Sequence, residues 1–500
     1  MRKLTENCKT IAITCRQWGD TGKGKFVDLF ADWADIIARG VGGDNAGHTI
    51  CAGEKTLIMH LIPSGIFNDS KGKHNVIGSG VAFNPRSFLK EIETLDLAHL
   101  SHNRLSVAYN AKLILPTHGL LDKLREAVAN GGKIGSTGKG IGPVYADHAD
   151  RQGLTVNDLL NRDFFQKKII RHLEYKTRIL RAFDSELINQ IAAKDFELNR
   201  FLKNGKFDAE AITEAYMEYG RLIGRYVADT DDLLRTAVGN LNILLEGAQG
   251  DLLSVDYGTY PYVTSSDCTA GGLARGVGLN ESQIDLSLGI IKGFYMTRVG
   301  CGPFPTERGG KKSDEWCNGG HANKAKEDML YAGASVGDED EFIAGIALRQ
   351  AGGEYGATTG RLRRVGWLDL PLLRYVRKFN SEDIILTKLD VLSTCEEIKI
   401  CHHYIYHGPD FAYAGEKIHD GDKIREGDEL YEAIPDALVL EACEPVYEVF
   451  PGWKEDIRGC RNFDSLPQNL KKILEYVVCE TDIRPRILSV GPRPEETIFI

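Results

Sequence analysis

An acidic residue inside a glycine-rich loop near the N-terminus is the first candidate for chemistry. Residues 19–25, GDTGKGK, fit the phosphate-binding pattern G-x-x-x-x-G-K, but Phe26 stands where that pattern has the magnesium-binding Ser or Thr. Asp20 lies inside the loop. Because a carboxylate beside a phosphate is repelled unless a metal ion or a proton lies between them, we predict that Asp20 is a magnesium ligand, a general base or both. A solvated loop acid is the alternative.

A histidine in a second glycine loop is the next candidate. Residues 40–49 read GVGGDNAGHT, and the glycines allow the backbone to approach a ligand closely. A lone histidine is usually structural or simply exposed. His48, however, stands between Gly47 and Thr49 in such a loop, and this setting favours a catalytic role. The amide of Asn45 could hydrogen-bond a polar substrate.

Two further loops combine hydroxyl groups with basic residues, and both predict anion binding. Residues 135–143, GSTGKGIGP, offer Ser136, Thr137 and backbone N–H groups to a phosphate, with a plain surface loop as the alternative. Residues 357–364, ATTGRLRR, place three arginines and two threonines around one glycine and need a counter-anion. An arginine fork binds a carboxylate through two hydrogen bonds, so this loop could hold a carboxylate.

The sequence TKLD at 387–390 is a candidate for base recognition. The carboxylate of Asp390 could accept hydrogen bonds from N1–H and from the 2-amino group of guanine, which adenine cannot supply. Lys388 could lay its stem along the base. Four residues are a weak signal alone, but a phosphate loop upstream strengthens the interpretation.

Hydrophobic patterns predict the elements that position these loops. Residues 11–14 read as a buried strand. The apolar residues that follow recur at helix spacing: Phe26, Leu29, Phe30, Trp33, Ile36 and Ile37. Residues 56–115 read as short strands and turns, 155–240 as helices, and LNILLEGAQG and DIIL as strands before Gln249 and TKLD. A strand, a glycine loop and a helix in this order direct backbone N–H groups at a phosphate.

Composition excludes several classes of protein. The 500 residues carry a net charge of −10, from 61 basic and 71 acidic residues, and no long basic run that would favour nucleic acid. Eleven cysteines lack zinc-ligand spacing and read as reduced thiols. Because no apolar run reaches membrane length and no signal-peptide core is present, we expect a cytoplasmic protein.

Taken together, these loops resemble the signatures of one family, the adenylosuccinate synthetases. QWGDTGKGK and GGDNAGHT are similar to the family motifs QWGDEGKGK and GG-x-NAGHT, and GSTGKGIGP is similar to GTT-x-x-GIGP. The segments at 246–249 (EGAQ), 257–266 (YGTYPYVTSS), 297–307 (TRVGCGPFPTE) and 489–492 (SVGP) also match. The family joins L-aspartate to IMP and cleaves GTP to GDP and phosphate.

The resemblance covers 11–500 and implies an α/β fold, with a large central, mostly parallel sheet flanked by helices. It predicts a single catalytic domain over 1–500. One segment, 308–353, is longer by roughly thirty residues than the resemblance implies. Because it is rich in Gly, Lys, Asp and Glu, we interpret it as an inserted surface segment, with a lid or an assembly contact as alternatives.

The resemblance also implies roles, residue by residue. It implies catalytic roles for Asp20, Lys23, His48 and Gln249. It implies IMP binding by Asn45, Thr137, Arg151, Gln249, Thr264 and Arg361. It implies L-aspartate binding by Thr358, Thr359, Arg361 and Arg363. It implies GTP binding by Gly19, Gly22, Lys23, Gly24, Lys25, Gly47, Thr49, Arg363, Lys388, Asp390, Ser489 and Gly491. A Mg²⁺ ion would be held by Asp20 and Gly47, and Arg151 would reach the neighbouring IMP phosphate in a homodimer.

Three positions have no role in this scheme: Thr21, where the family has an acid, Asp44, and Asp267, where an asparagine is usual. Some viral relatives accept dGMP in place of IMP and change the same first loop, but they replace the aspartate itself. The retained Asp20 favours IMP, with dGMP as the alternative. A GTP-binding regulatory protein without turnover is a third interpretation. His48 and the arginine loop, residues 357–364, argue against it, because a regulatory GTP-binding protein does not need a binding site for L-aspartate.

Overall fold

A ten-stranded sheet forms the centre of the protein. The computed structural model describes residues 1–52, 55–68, 72–101, 103–129, 133–203, 205–356, 360–412 and 423–500. In spatial order the described strands are β11 (Val227–Ala228), β7 (Leu105–Ala108), β5 (His74–Ile77), β2 (Ile36–Arg39), β12 (Ile243–Glu246), β1 (Thr10–Cys15), β13 (Leu286–Lys292), β16 (Asp383–Thr387), β22 (Arg484–Ser489) and β23 (Thr497–Phe499). Neighbouring strands are parallel except β22 and β23, so the predicted large, mostly parallel sheet is confirmed.

The described residues form α-helices that pack on both faces of this sheet and on other parts of the fold. They are α1 (Arg2–Thr5), α2 (Lys23–Ala31), α3 (Pro85–Thr94), α4 (Pro116–Val128), α5 (Ile141–Ala149), α6 (Arg162–Leu180), α7 (Ser185–Ala193), α8 (Phe196–Phe201), α9 (Ala209–Ile223), α10 (Thr230–Ala237), α11 (Ala270–Arg275), α12 (Gly310–Asn318), α13 (Lys324–Leu330), α14 (Glu341–Gly352), α15 (Leu370–Arg377), α16 (Ala437–Glu441) and α17 (Gln468–Thr481). Across the described ranges, none of them combines the length and the apolar content that a bilayer span requires.

The central strands are buried on both faces because successive side chains point to opposite sides of a sheet. Ala12 and Leu245 belong to one hydrophobic cluster, together with residues of α10 and α11. Their neighbours Ile11 and Leu244 belong to another cluster, which contains the apolar face of α2. Helix α2 is thereby fixed against the strand that precedes it, and the loop between them is held at both ends.

A second, smaller sheet carries the arginine loop. Its strands are β14 (Tyr295–Arg298), β15 (Arg364–Asp369), β17 (Glu397–Tyr406), β20 (Glu429–Leu430) and β21 (Cys443–Pro451). The short pairs are β3 (His48–Ala52) with β4 (Lys55–Met59), β6 (Ala82–Phe83) with β8 (Lys112–Leu113), β9 (Leu202–Lys203) with β10 (Lys206–Phe207), and β18 (Phe411–Ala412) with β19 (Lys423–Ile424). Because β14 begins three residues after β13 ends, the two sheets are joined closely beside the central strands.

Two of the predicted elements were wrong in extent. Helix α2 ends at Ala31, and Ile36 and Ile37 belong to β2, where they enter the clusters on opposite faces of the sheet. Apolar spacing alone could not separate this strand from a helix. Within 56–115 we also missed α3, which begins after Asn84, whose Oδ1 accepts the N–H of Arg86 at 3.2 Å. The helices predicted over 155–240 are confirmed as α6 to α10.

Candidate functional site

The predicted site residues gather at the carboxyl edge of the central sheet. The strands that end there lie side by side in the order β2, β12, β1, β13, β16 and β22. The residues that end or follow these strands are His48, Gln249, Asp20, Lys292, Lys388, Asp390, Ser489 and Gly491. Because ligands of open parallel sheets bind outside the carboxyl ends of the strands, this edge is the candidate active site.

Asp20 lies at the centre of this edge and is paired with an arginine. Its backbone is left-handed, with φ of +52°, and its side chain is 35% exposed. The carboxylate forms an ion pair with Nε of Arg363. Burial disfavours the charged form, but Arg363, Lys292 and Lys23 outweigh it and hold the pKa of Asp20 below its usual range. Asp20 is therefore ionised at neutral pH and surrounded by cations.

The loop around Asp20 leads directly into the N-terminus of α2. Gly22 caps this helix with φ of +81°, a conformation that favours glycine. A Cβ on Gly24 would lie 2.6 Å from the carbonyl oxygen of Thr49, so helix and loop pack too closely for a side chain there. Lys23 in the first turn is buried, and its Nζ donates to the carbonyl of Gln249 at 2.5 Å. This arrangement presents helical N–H groups and a lysine to an anion.

Lys25 connects the first loop with the end of the chain. Its Nζ donates to Oγ of Ser489 at 2.7 Å and to the carbonyl of Gly491 at 2.8 Å. Ser489 Oγ in turn donates to the carbonyl of Gly491 at 2.9 Å. Three residues predicted to bind one nucleotide therefore lie together, although 464 positions separate the first two.

His48 is buried and paired with a glutamate at the end of β12. Its Nδ1 lies within hydrogen-bond distance of Glu246, whose carboxylate also accepts Ser64 Oγ at 2.6 Å and Ser64 N–H at 2.8 Å. Burial lowers the pKa of His48 despite the opposing effect of Glu246. Burial would raise the pKa of Glu246, but His48, Arg39 and Ser64 together outweigh it and lower this pKa. An ionised Glu246 therefore fixes a neutral His48 with Nδ1–H as the donor.

The loop that carries His48 is anchored from below by buried charged groups. Arg39 at the end of β2 donates to the carbonyl of His60 and, at 3.3 Å, to that of Gly43. Glu91 accepts the N–H of His60 at 2.8 Å, and His60 Nδ1 donates to the carbonyl of Ala46 at 2.8 Å. These contacts hold residues 43–46 against the hairpin β3–β4.

Gln249 and Asn45 approach each other across the site. Gln249 has φ of +50°, and its Nε2 donates to Oδ1 of Asn45 at 3.2 Å. Its Oε1 is buried and accepts no hydrogen bond from the described residues. Because a buried acceptor without a partner is unfavourable, this atom is suited to a donor on a ligand.

Arg361 bridges the arginine loop and the loop at 135–140. Its Nη1 donates to the carbonyls of Gly135 at 3.1 Å and Ser136 at 3.4 Å. Thr137 is exposed, whereas Ser136 Oγ donates to Asp122 at 2.6 Å. Two predicted ligand loops therefore meet, but Ser136 has a protein partner.

Arg151 lies just beyond α5. Its φ is +59°, its side chain is exposed, and none of the described residues forms a hydrogen bond or an ion pair with its guanidinium. Thr264 is half-buried, with its N–H donating to the carbonyl of Leu253 at 2.8 Å. Thr358 and Thr359 lie outside the described residues.

A buried His–Asp–His cluster lies where α4, α5 and α6 meet. His118 Nε2 donates to Asp147 at 2.8 Å, and its Nδ1 accepts a backbone N–H. His172 Nε2 accepts the hydroxyl of Thr117 at 2.8 Å, and its Nδ1 donates to a backbone carbonyl. Lys176 is ion-paired with the same Asp147. Since every ring nitrogen has a partner and a cation is already present, the cluster fits a network that joins α4, α5 and α6 rather than a metal site.

Lys388 is joined to the arginine loop through Glu354. Its φ is +57°, and its Nζ donates to Oε1 of Glu354 at 2.8 Å. Glu354 also pairs with Lys292 at 2.7 Å and accepts Tyr295 OH at 2.7 Å, while its backbone carbonyl accepts the N–H of Arg363 at 3.0 Å. Burial lowers the pKa of Lys292 to about 8. The group predicted to contact guanine is thus connected to the partner of Asp20.

Asp390 is half-buried in the turn that follows Lys388, and burial is the main cause of its raised pKa.

Arg364 of the arginine loop is not available to a ligand. Its Nε donates to both carboxylate oxygens of Glu307, at 2.9 and 3.0 Å, and lies 3.2 Å from Asp314. The expectation that all three arginines of the loop need an external anion was therefore wrong for Arg364.

Two of the three positions without a role in the family scheme, Asp267 and Asp44, have structural partners. Asp267 accepts Thr269 N–H at 3.0 Å before α11 and pairs with Arg275 at 2.6 Å, so it organises the start of that helix. Asp44 accepts Asn84 Nδ2 at 3.1 Å. Thr21 is buried, with an Oγ1 that has no partner among the described residues, and nothing in the structure explains this hydroxyl.

Sequence reasoning missed Glu246, Lys292 and Glu354. Glu246 and Lys292 each end an apolar strand, LNILLE and LSLGIIK, at the edge where the loops meet. A charged residue that closes an otherwise apolar strand was the available signal, because burying it requires a partner at that edge. Glu354 gave no comparable signal, since it lies between two glycine-containing turns.

Comparisons with known proteins identify one family. The family model described as "Adenylosuccinate synthetase" matches residues 12–498. The adenylosuccinate synthetase of Halothermothrix orenii is 40% identical over 485 residues, covering 96% of each chain, and that of Geobacter sulfurreducens is 39% identical over 494 residues, covering 98% of each.

Two solved structures are similar in fold. Fully ligated adenylosuccinate synthetase from Plasmodium falciparum has a TM-score of 0.77 at 32% identity, covering 98% of this chain and 100% of that chain. The succinoaminodeoxyadenylate synthetase of cyanophage S-2L, bound to dGMP and dATP, has a TM-score of 0.52 at 15% identity, covering 98% and 95%, and this likeness shows the fold alone. From the family match over nearly the whole chain, the relatives at about 40% identity and the shared fold, we conclude that the chain belongs to the adenylosuccinate synthetase family.

Proposed function

We propose that this protein is an adenylosuccinate synthetase, a ligase that joins L-aspartate to IMP and cleaves GTP to GDP and phosphate. The observation that carries the proposal is the ionised Asp20 among Arg363, Lys292 and Lys23 at the sheet edge. Such a carboxylate can take a proton from a purine ring while the cations offset the negative charge of a triphosphate. The whole chain acts as one catalytic domain, because residues from 20 to 491 contribute to this edge.

The chemistry has two steps. Asp20 removes the N1 proton of IMP, so negative charge gathers on O6, and O6 attacks the γ-phosphate of GTP to give 6-phosphoryl-IMP. His48 and Lys23 stabilise the charge that develops on the transferred phosphoryl group, and Gln249 positions the base through its amide. The amine of L-aspartate then displaces phosphate from C6. A phosphorylated oxygen leaves readily, whereas the free purine oxygen does not.

A Mg²⁺ ion belongs to this proposal. A carboxylate and a backbone carbonyl are the hard oxygen donors that Mg²⁺ prefers, and Asp20 and Gly47 would supply them beside triphosphate oxygens. When bound, the ion supplies positive charge to the phosphates.

We propose that Arg363 exchanges one carboxylate partner for another when L-aspartate binds. The guanidinium pairs with the carboxylate of Asp20. A carboxylate of L-aspartate offers the same chemistry, so substrate binding would take over Arg363 and release Asp20 for the purine and the metal. We propose that Arg361, Thr358 and Thr359 complete the aspartate site, and that Asn45, Thr137 and Thr264 bind IMP. The remaining GTP contacts come from Gly19, Gly22, Gly24, Lys25, Thr49, Ser489 and Gly491.

We also propose a homodimer and a cytoplasmic location. Arg151 is exposed, and none of the described residues pairs with its guanidinium. The family scheme gives it the phosphate of an IMP bound in the neighbouring subunit. Eleven cysteines without paired spacing suit a reducing compartment.

The dGMP-using alternative has less support. The chain is 15% identical to the dGMP-bound phage protein but 32–40% identical to adenylosuccinate synthetases. Asp20 is also retained. A GTP-binding regulatory protein without turnover would need neither the buried His48–Glu246 pair nor the Asp20–Arg363 pair. IMP therefore remains the proposed substrate.

Replacing Asp20 tests the proposal most simply. We expect Asp20→Ala and Asp20→Asn to lower GTP cleavage by at least about 100-fold, since neither can accept the N1 proton. The measurement is phosphate release from GTP with IMP or dGMP, with and without L-aspartate. Asp32→Asn, at the other end of α2, is the control and should be fully active. Near-normal turnover of a folded Asp20 variant, or dependence on dGMP instead of IMP, would contradict the proposal.

The guanine site can be tested by a change of base. We expect Asp390→Asn to raise the KM for GTP by about 100-fold, because an amide cannot accept two hydrogen bonds from N1–H and the 2-amino group. The amide would instead match xanthine, whose O2 accepts where guanine donates. Xanthosine triphosphate should therefore restore activity to this variant. If GTP and xanthosine triphosphate are used equally by wild type and variant, Asp390 does not select the base.

Mixing two inactive variants tests the dimer. Arg151→Ala and Asp20→Asn should each be inactive alone, because one lacks the contribution to the neighbouring site and the other lacks the base. After exchange of subunits, one site in a mixed dimer is intact, so about a quarter of wild-type activity should return. A mixture that stays inactive although mixed dimers are shown to form would mean that Arg151 serves its own subunit.

A further inference from the structure

The long segment 308–353 contributes a buried carboxylate next to the arginine loop. Its helices α12 and α13 lie on the outside of the protein, with Met329 73% exposed. Every residue of α13 is described, and Glu327 is the only one that is buried. A buried charge in an otherwise exposed seven-residue helix is unfavourable unless it is fully paired, so its partners indicate its purpose.

Glu327 accepts hydrogen bonds from three residues in different parts of the fold. Nε of Arg349 in α14 donates to both carboxylate oxygens at 3.0 Å, and Nη2 donates to Oε1 at 2.8 Å. Trp316 Nε1 in α12 donates to Oε1 at 2.8 Å. Tyr355 OH donates to Oε2 at 2.9 Å. The carboxylate is fully used within the protein and leaves no oxygen for a ligand.

Two of these partners hold the stem of the arginine loop, which consists of residues 354–356 and 361–363. Tyr355 pairs with Leu362 across the stem as an antiparallel bridge. Arg349, which Glu327 orients, donates through Nη1 to the backbone carbonyl of Arg363 at 2.7 Å. Glu327 therefore contacts one strand of the stem directly and fixes the other through a buried arginine.

The stem in turn sets the position of Arg361 and Arg363, the two arginines assigned to L-aspartate. Arg363 is paired with Asp20, and Arg361 donates to Gly135. A shift of the stem would move these guanidinium groups relative to the sheet edge. The phosphate loop lies between β1 and α2. Lys388 contacts the stem through Glu354, a residue that Lys292 and Tyr295 also hold in place. Moving a guanidinium group from its binding position weakens the affinity for the ligand even when no contact residue is removed.

We propose that Glu327 is a positioning residue for the amino-acid substrate, and that helices α12 and α13 serve as a brace for the arginine loop. The inference rests on the proposed function, because it assumes that this loop binds L-aspartate. It predicts that the brace affects the affinity for L-aspartate most, because both arginines bind it, and the affinities for IMP and GTP less, because Arg361 and Arg363 each supply only one of several contacts to a nucleotide.

The test separates the three substrates. Glu327→Gln keeps the size of the side chain but removes the charge that orients Arg349, and we expect the KM for L-aspartate to rise about 10-fold or more. The KM values for GTP and IMP should rise by a smaller factor, no more than about threefold, because each nucleotide also has contacts outside the arginine loop. Asp328→Asn, the exposed neighbour in the same helix, is the matched control and should change none of the three.

A second variant decides the outcome if Glu327→Gln does not fold. Tyr355→Phe removes only the hydroxyl that donates to Glu327, and it should give a smaller rise in KM that is again largest for L-aspartate. Equal rises for all three substrates, or no change in a folded variant, would overturn the brace. The proposed function fails separately, if wild-type protein does not cleave GTP in the presence of IMP and L-aspartate.

Discussion

A carboxylate that stays ionised among cations is the constraint on which the site depends. Asp20 is kept charged by Arg363, Lys292 and Lys23, although its surroundings disfavour the charge. Each of these cations also needs a partner of its own that holds it in position beside Asp20. Glu354 does this for Lys292, Gln249 accepts from Lys23, and the stem of the arginine loop orients Arg363. The edge is therefore a network of alternating charges, in which removing one member leaves others unpaired.

The sheet explains how residues so distant in sequence reach one another. Six strands that are adjacent in space come from both ends and the middle of the chain, and each ends at the same edge. Parallel strands require long crossover connections, which place helices on both faces and leave the loops free to vary. Longer connections can then act on the site from outside, as the contact between Glu327 and Tyr355 illustrates.

Much of this arrangement could be predicted from sequence, because its signals are local. The strand before Asp20, the glycine loop and α2 follow from residues within one short window, and the long family motifs add the fold and the ligand loops. The pairings could not be predicted in the same way. His48 with Glu246, and Arg363 with Asp20, join residues 198 and more than 300 positions apart, and no local pattern encodes such a contact. The early end of α2 was missed because Ile36 and Ile37 suit either a helix face or a doubly buried strand.

The central claim is that this edge turns the purine oxygen of IMP into the group that attacks GTP. The most direct measurement follows that oxygen. With IMP that carries heavy oxygen at C6, the phosphate released in a reaction with GTP and L-aspartate should contain the label, since the C6–O bond breaks when the amine enters. Unlabelled phosphate, formed together with the aspartate adduct, would show that O6 never received the phosphoryl group and would contradict the account.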